Sequence, residues 1–213
     1  MSQNMHVPAG SPDPANPADS AVGAQRVFRG VLEALSYPGR TVAIPPLAGA
    51  PAALGGGLAA VALTLLDEDT PVWAHPTLAN DAEAMAYLAF HAGVRPVADS
   101  MDAAFVIATP DTIPSWRDLR LGTDEAPHES ATILLDARDR EQGEGGTFCA
   151  TGPGIDGSIT IDAPWAPADF VTTWRHNGEL FPRGVDLVAV TDESIVALPR
   201  TSAVVPAATG EVA

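Results

Sequence analysis

Ala103-Ala104-Phe105-Val106-Ile107-Ala108 and Ala131-Thr132-Ile133-Leu134-Leu135 are the stretches whose reading decides the fold. A strand with one wet face alternates apolar and polar residues. These runs are apolar almost throughout, which is the pattern of strands covered on both faces. Working outward, Val185 to Val190 and Ile195 to Leu198 flank a Thr-Asp-Glu-Ser turn and read as a hairpin. Segments 40–44 and 70–75 read as further strands, and 147–151 with 158–161 as an antiparallel pair between glycine-rich turns. Helices are expected at five places besides these. Val27, Phe28, Val31, Leu32 and Leu35 recur at the spacing of one helical face, with Ser20 as N-cap and Pro38-Gly39 as the stop. Leu58 to Leu66 is apolar enough for a helix buried on most sides, 81–91 is capped at Asn80 or Asp81, and 168–176 follows a proline. A helix is also expected over 111–121. Helices alternating with strands, and hairpins near the C-terminus, predict an α/β domain with a mixed sheet and helices on both faces.

Composition bounds the rest. The chain has 213 residues, 46% of them hydrophobic and 18% charged, enough for one domain with a substantial core. Residues 1–20, with Pro8, Pro12, Pro14 and Pro17 among Ala, Asp and Ser, read as a disordered tail, leaving 21–213 as a single domain. The tail lacks the basic start and apolar core of a signal peptide. Asp and Glu number 27 against 11 basic residues, a formal charge of −16. Such a field repels nucleic acid and anionic membranes, so neither partner is expected. Thr41 to Leu66 carries no charge, but Pro45, Pro46, Pro51 and Gly55-Gly56-Gly57 interrupt it and argue against a membrane span.

Every one of the 11 basic residues is arginine. Without lysine the chain cannot form a Schiff base with pyridoxal phosphate, and the Gly55-Gly56-Gly57 run cannot be a Walker-type phosphate loop. A single cysteine, Cys149, excludes an internal disulfide and an iron-sulfur cluster, so no cofactor is expected and the cytoplasm is the natural compartment. His6, His75, His91, His128 and His176 lack the spacing of a metal pair, so no metal is expected either. No G-x-S-x-G elbow occurs. Asp67, Glu68 and Asp69 could ligate magnesium or could be a solvated helix end, although negative charge is unfavourable at a helix C-terminus. Arg26 and Arg29 on the first helix, Arg183 and Arg200 are candidate anion contacts, with ion pairing to the acidic surface as the competing reading. Trp73, Trp116, Trp165 and Trp174 could anchor a partner or fill the chain's own core.

Four segments, in order, carry a resemblance. Phe28-Arg29 through Ala34-Leu35-Ser36 to Pro38-Gly39 is the first. Leu63-Thr64-Leu65-Leu66-Asp67-Glu68-Asp69-Thr70-Pro71-Val72-Trp73 is the second, and Gly122-Thr123 with Pro127 and Ala131-Thr132 the third. Phe181-Pro182-Arg183-Gly184-Val185-Asp186-Leu187 and Ala197-Leu198-Pro199-Arg200-Thr201 make up the fourth. Together, over roughly 25–205, they resemble the PhnH family of the bacterial carbon-phosphorus lyase system. The resemblance implies a domain of pyridoxal-phosphate-transferase type that lacks the cofactor lysine, a homodimer when alone, and assembly with PhnG, PhnI and PhnJ. It implies a non-catalytic role in forming ribose 1-methylphosphonate 5-triphosphate from ATP and a phosphonate, so no catalytic residue is carried over. Arg29, Asp67, Asp69, Trp73, Arg183, Asp186 and Arg200 are the candidate ligand or interface positions. The rival reading is a stand-alone phosphonate- or nucleotide-binding enzyme or sensor with Arg183, Asp186 and Arg200 lining its site.

Overall fold

The computed structural model describes residues 21–138 and 145–207. The expected tail over 1–20, with the Ser20 cap, lies outside the described residues. The chain builds five α-helices among these residues: α1 (Ala21–Ser36), α2 (Gly55–Leu65), α3 (Pro76–Ala79), α4 (Ala82–Ala92) and α5 (Phe170–Glu179). Its strands are β1 (Val42–Ala43), β2 (Pro71–Ala74), β3 (Arg95–Pro96), β4 (Phe105–Ala108), β5 (Thr132–Asp136), β6 (Thr147–Thr151), β7 (Ile159–Asp162), β8 (Asp186–Val190), β9 (Ser194–Leu198) and β10 (Ala203–Pro206). Seven form one sheet in the order β1-β9-β8-β5-β4-β2-β3, and β10-β6-β7 form a second. In the large sheet β3, β2, β4, β5 and β8 are mutually parallel, β9 runs antiparallel to β8, and β1 runs antiparallel to β9, so the sheet is mixed.

The doubly apolar runs are the centre of that sheet. Ile107, Leu134, Val188 and Val190 turn to one face, where they pack with Val27, Val31, Leu58, Val61 and Leu88 of α1, α2 and α4. Val106, Ile133, Leu135, Leu187 and Ala189 turn to the other, against Phe148, Ile161, Trp165, Phe170 and Trp174. That second face is covered by the small sheet together with α5. The expected antiparallel pair therefore exists, but it takes β10 as a third strand and forms a layer of its own. It is part of the connection from β5 to β8, which parallel neighbours require to be long.

Two expectations need correction. The 111–121 segment is not a helix: only Trp116–Asp118 forms a 3-10 turn. Pro110 and Pro114 account for this, since a proline donates no backbone hydrogen bond and pushes the residue before it away from helical angles. In α1 the buried face is Val27, Gly30, Val31 and Ala34, whereas Phe28 and Leu32 stay 43% and 48% exposed on its flank. The apolar stripe is wider than the surface that covers it.

Elsewhere the local rules hold. Asp81 caps α4, its side chain accepting from Ala84 N at 2.8 Å, and Gly93 closes the helix at φ 68°. Helix α2 is buried from Gly57 to Ala62, and at Gly57 a Cβ would lie 1.9 Å from the Thr191 carbonyl oxygen. The β8–β9 turn thus seats directly on the α2 backbone. No helix among the described residues is long and apolar enough to cross a membrane.

Candidate functional site

An open groove of about 560 Å³ runs between α5 and β10 and is lined also by Phe181 and by the turn from Arg200 to Ser202. Three contacts hold its walls. Trp174, wholly buried on α5, donates its indole Nε1–H to the Ser202 carbonyl at 2.9 Å and so ties the helix to the approach to β10. Asn177, three residues on and 2% exposed, donates Nδ2–H to Val185 O at 2.9 Å and accepts Val185 N–H at Oδ1 at 2.8 Å. A side-chain amide here replaces the strand neighbour that Val185 lacks. Gly184 is needed beside it, since φ is 115° and a Cβ would lie 2.6 Å from Asn177 Oδ1.

Arg200 is the third. Its Nη2 and Nε meet the two oxygens of Asp186 at 2.5 and 3.2 Å, its backbone N–H donates to Asp186 Oδ1 at 2.7 Å, and Nη1 donates to Pro127 O at 2.8 Å. The Arg200 side chain is 14% exposed and that of Asp186 22%. Arg200 therefore braces the start of β8, the β9–β10 turn and the 127–130 loop. Arg183 is paired more loosely: its Nε lies 3.1 Å from Asp124 Oδ1, without the alignment of a hydrogen bond, and the pair is largely in solvent.

Asp186, Arg183 and Arg200 therefore lie close together, but each cation already faces a carboxylate. The remaining candidates lie elsewhere. Arg29 is exposed on α1. Asp67 accepts from Asp69 N at 3.1 Å and from Thr70 Oγ1 at 2.5 Å in the turn between α2 and β2. The Thr70 hydroxyl holds the Asp67 carboxyl below its ordinary range. Asp69 is exposed in the same turn, and Trp73 is half-buried on β2 against the second core face. With Trp116, Trp165 and Trp174 on that face too, all four tryptophans pack on the chain's own core.

Sequence reasoning passed over a polar cluster at the carboxyl ends of β2, β4 and β5, where open α/β sheets commonly bind ligands. Here it is closed. Asp136 accepts from Arg138 Nε at 2.9 Å, Nη2 at 2.7 Å and the backbone N at 3.2 Å, and Arg138 Nη1 and Nη2 also donate to Ala52 O and Ala53 O above the start of α2. His75, 7% exposed, has a buried Nδ1 with no partner. Burial lowers its pKa, opposed in part by Asp136 and Asp111. Among the described residues no three His, Cys, Asp or Glu side chains are grouped to hold a metal ion.

The family model for bacterial phosphonate metabolism protein (PhnH) matches residues 15–205. The chain belongs to the PhnH family. Its relatives include alpha-D-ribose 1-methylphosphonate 5-triphosphate synthase subunit PhnH of Rhizobium meliloti (strain 1021), 37% identical over 187 residues, which cover 87% of this chain and 92% of the relative. A putative C-P lyase subunit protein, HtxG, of Stutzerimonas stutzeri is 35% identical over 188 residues, 84% of each chain. The third and fourth of the segments with PhnH character meet in space around Arg200. Gly122 closes a turn on Ala126 and Pro127, Pro127 O receives Arg200, Gly184 N donates to Leu121 O at 3.0 Å, and Ala131 O accepts from Asp186 N at 3.3 Å. Sequence separates these PhnH segments by tens of residues; the amino ends of β5 and β8 bring them into one knot beside the groove.

Proposed function

We propose that this chain is a non-catalytic subunit of the assembly that makes ribose 1-methylphosphonate 5-triphosphate from ATP and a phosphonate, within bacterial phosphonate catabolism. The observation that carries this reading is the 37% identity spread over 92% of a relative bearing that subunit's name. The geometry supports a scaffolding role. Arg200 at the groove and Arg183 nearby are held by Asp186 and Asp124, which leaves Arg175 as the groove-lining arginine without an ion pair among the described residues, and the groove offers no pairing of nucleophile with base. Its work is then to present a shaped surface to other subunits. We read those as PhnG, PhnI and PhnJ, the chain alone as a homodimer, its compartment as the cytoplasm, and its chemistry as free of cofactors. We read the fold as of pyridoxal-phosphate-transferase type; the complete absence of lysine fits a version that dispensed with the cofactor.

An omission assay tests the role. The purified chain, given ATP and methylphosphonate, is expected to release no adenine, and adding it to the remaining subunits is expected to restore product formation. Turnover by the chain alone would overturn the non-catalytic reading.

A further inference from the structure

β10 ends the small sheet and, among the described strands, pairs with β6 alone, with Val204 opposite Ala150 and Val205 opposite Cys149. The ladder continues to Ala207, whose N–H donates to Thr147 O at 3.2 Å. In antiparallel pairing, successive residues alternate between aiming N–H and C=O at the partner strand and aiming both away. Ala203, Val205 and Ala207 therefore face β6, while Ser202, Val204 and Pro206 face the groove. Ser202 obeys this parity, since its carbonyl takes the Trp174 indole. The N–H and C=O of Val204 meet no described strand on that side. Pro206 has no N–H to offer, so the open edge is short and centred on Val204.

The surroundings suit an extended chain. Phe181 and Val205 stand on the rims, 63% and 54% exposed. Gly178 presents no side chain, and a Cβ there would meet nothing within 4 Å. Arg175, exposed on α5 at the groove wall, makes no ion pair among the described residues, not even with Glu179, which lines the same groove one helical turn on. In a chain of formal charge −16, an unpaired cation beside an apolar cleft selects for a carboxylate on the occupant. The chain's own residues 1–20 meet that requirement poorly. Their carboxylates, Asp13 and Asp19, sit next to or near Pro12, Pro14 and Pro17, which cannot donate to a ladder.

We propose that the groove receives an extended segment of a partner subunit, which adds a strand to β10 at Val204, packs an apolar side chain against Phe181 and Val205, and sets a carboxylate on Arg175. Backbone pairing supplies the register and the flanking side chains the selectivity. This inference rests on the subunit reading above and names the surface through which it acts.

The test uses the full chain co-expressed with the other lyase subunits, with amide hydrogen exchange followed over β10. Val204 is expected to exchange at least about tenfold more slowly in the complex than in the free chain. Phe181→Ser and Arg175→Glu, both at exposed positions, are each expected to weaken assembly about tenfold or more, with Arg175→Lys close to wild type. Unchanged melting of the free variants shows that the fold is intact. Wild-type assembly of both variants, with no protection of Val204, would overturn the groove proposal and leave the subunit reading standing. No assembly of the wild-type chain would overturn the subunit reading and this proposal with it. Protection already present in the free chain would name a different occupant. If it vanished on deleting residues 1–20 that occupant is the chain's own terminus, and if it vanished on dilution it is a second copy.

Discussion

Asn177→Ala should be among the most damaging single changes in this protein, and its size follows from two hydrogen bonds. Val185 is wholly buried, and both its N–H and its C=O are satisfied by the Asn177 amide. Removing the amide leaves a buried donor and a buried acceptor, each costing roughly 1–3 kcal/mol when unpaired. Allowing for partial relaxation and for entry of water into the space vacated, the net loss is about 3 kcal/mol, a large share of the roughly 5–15 kcal/mol that holds a domain together. For a chain of this length that corresponds to a fall in Tm of about 6–12 °C. Thermal and urea unfolding followed by far-UV circular dichroism reads it directly. His176→Ala is the control, because His176 is exposed on the same helix; it should stay within about 0.5 kcal/mol of wild type. An Asn177→Ala protein within about 1 kcal/mol of wild type would refute the claim that this amide serves as the missing strand neighbour.

Three further changes probe other parts of the argument. Arg200→Ala strips Asp186 of its buried partner and Pro127 of a donor, and should cost about 2–4 kcal/mol in urea unfolding, whereas Arg183→Ala, whose pair is mostly in solvent, should cost less than about 1 kcal/mol. Equal losses would contradict the division drawn between brace and surface pair. Gly57→Ala drives a methyl group into the Thr191 carbonyl and should cost about 3 kcal/mol or more, displacing the β8–β9 turn in amide exchange; a neutral result would mean α2 does not seat there. His75 is held neutral by burial, so the unfolded chain takes up its proton first as the pH falls. Its contribution is full above about pH 6.5 and declines as the pH drops from there towards the lowered folded value. His75→Asn should flatten that part of the stability profile, and an unchanged slope between pH 7.5 and 5.5, the two test conditions, would assign it to other groups.

Much of this architecture is written in local patterns. The unbroken apolar runs at 105–108 and 132–135 could only be central strands, because both of their faces end up in core. Asp81 and Gly93 mark the ends of α4 by cap chemistry alone. The 111–121 segment lies between two covered strands, where a helix is the common connection, but Pro110 and Pro114 prevent one. Phe28 and Leu32 misled in another way: periodicity shows which residues share a face, not how far the neighbouring layer reaches. β10 went unread because four residues ending in proline give too little alternation to register. The knot around Arg200 was half legible. Its members belong to the segments that carry the family resemblance, yet their meeting depends on pairings between β5, β8 and the 127–130 loop that no local pattern encodes. Asn177 and the Asp136–Arg138 pair left no signal, since a polar residue is recognised as structural only when its buried partner is known.

The central claim is that this chain works as part of a larger assembly. The most direct test is the particle mass, by light scattering during size exclusion, of the chain co-expressed with the other lyase subunits. The account predicts one stoichiometric heteromer containing this chain and persisting on dilution. A chain that elutes by itself under the same conditions, while the other subunits assemble without it, would contradict the account.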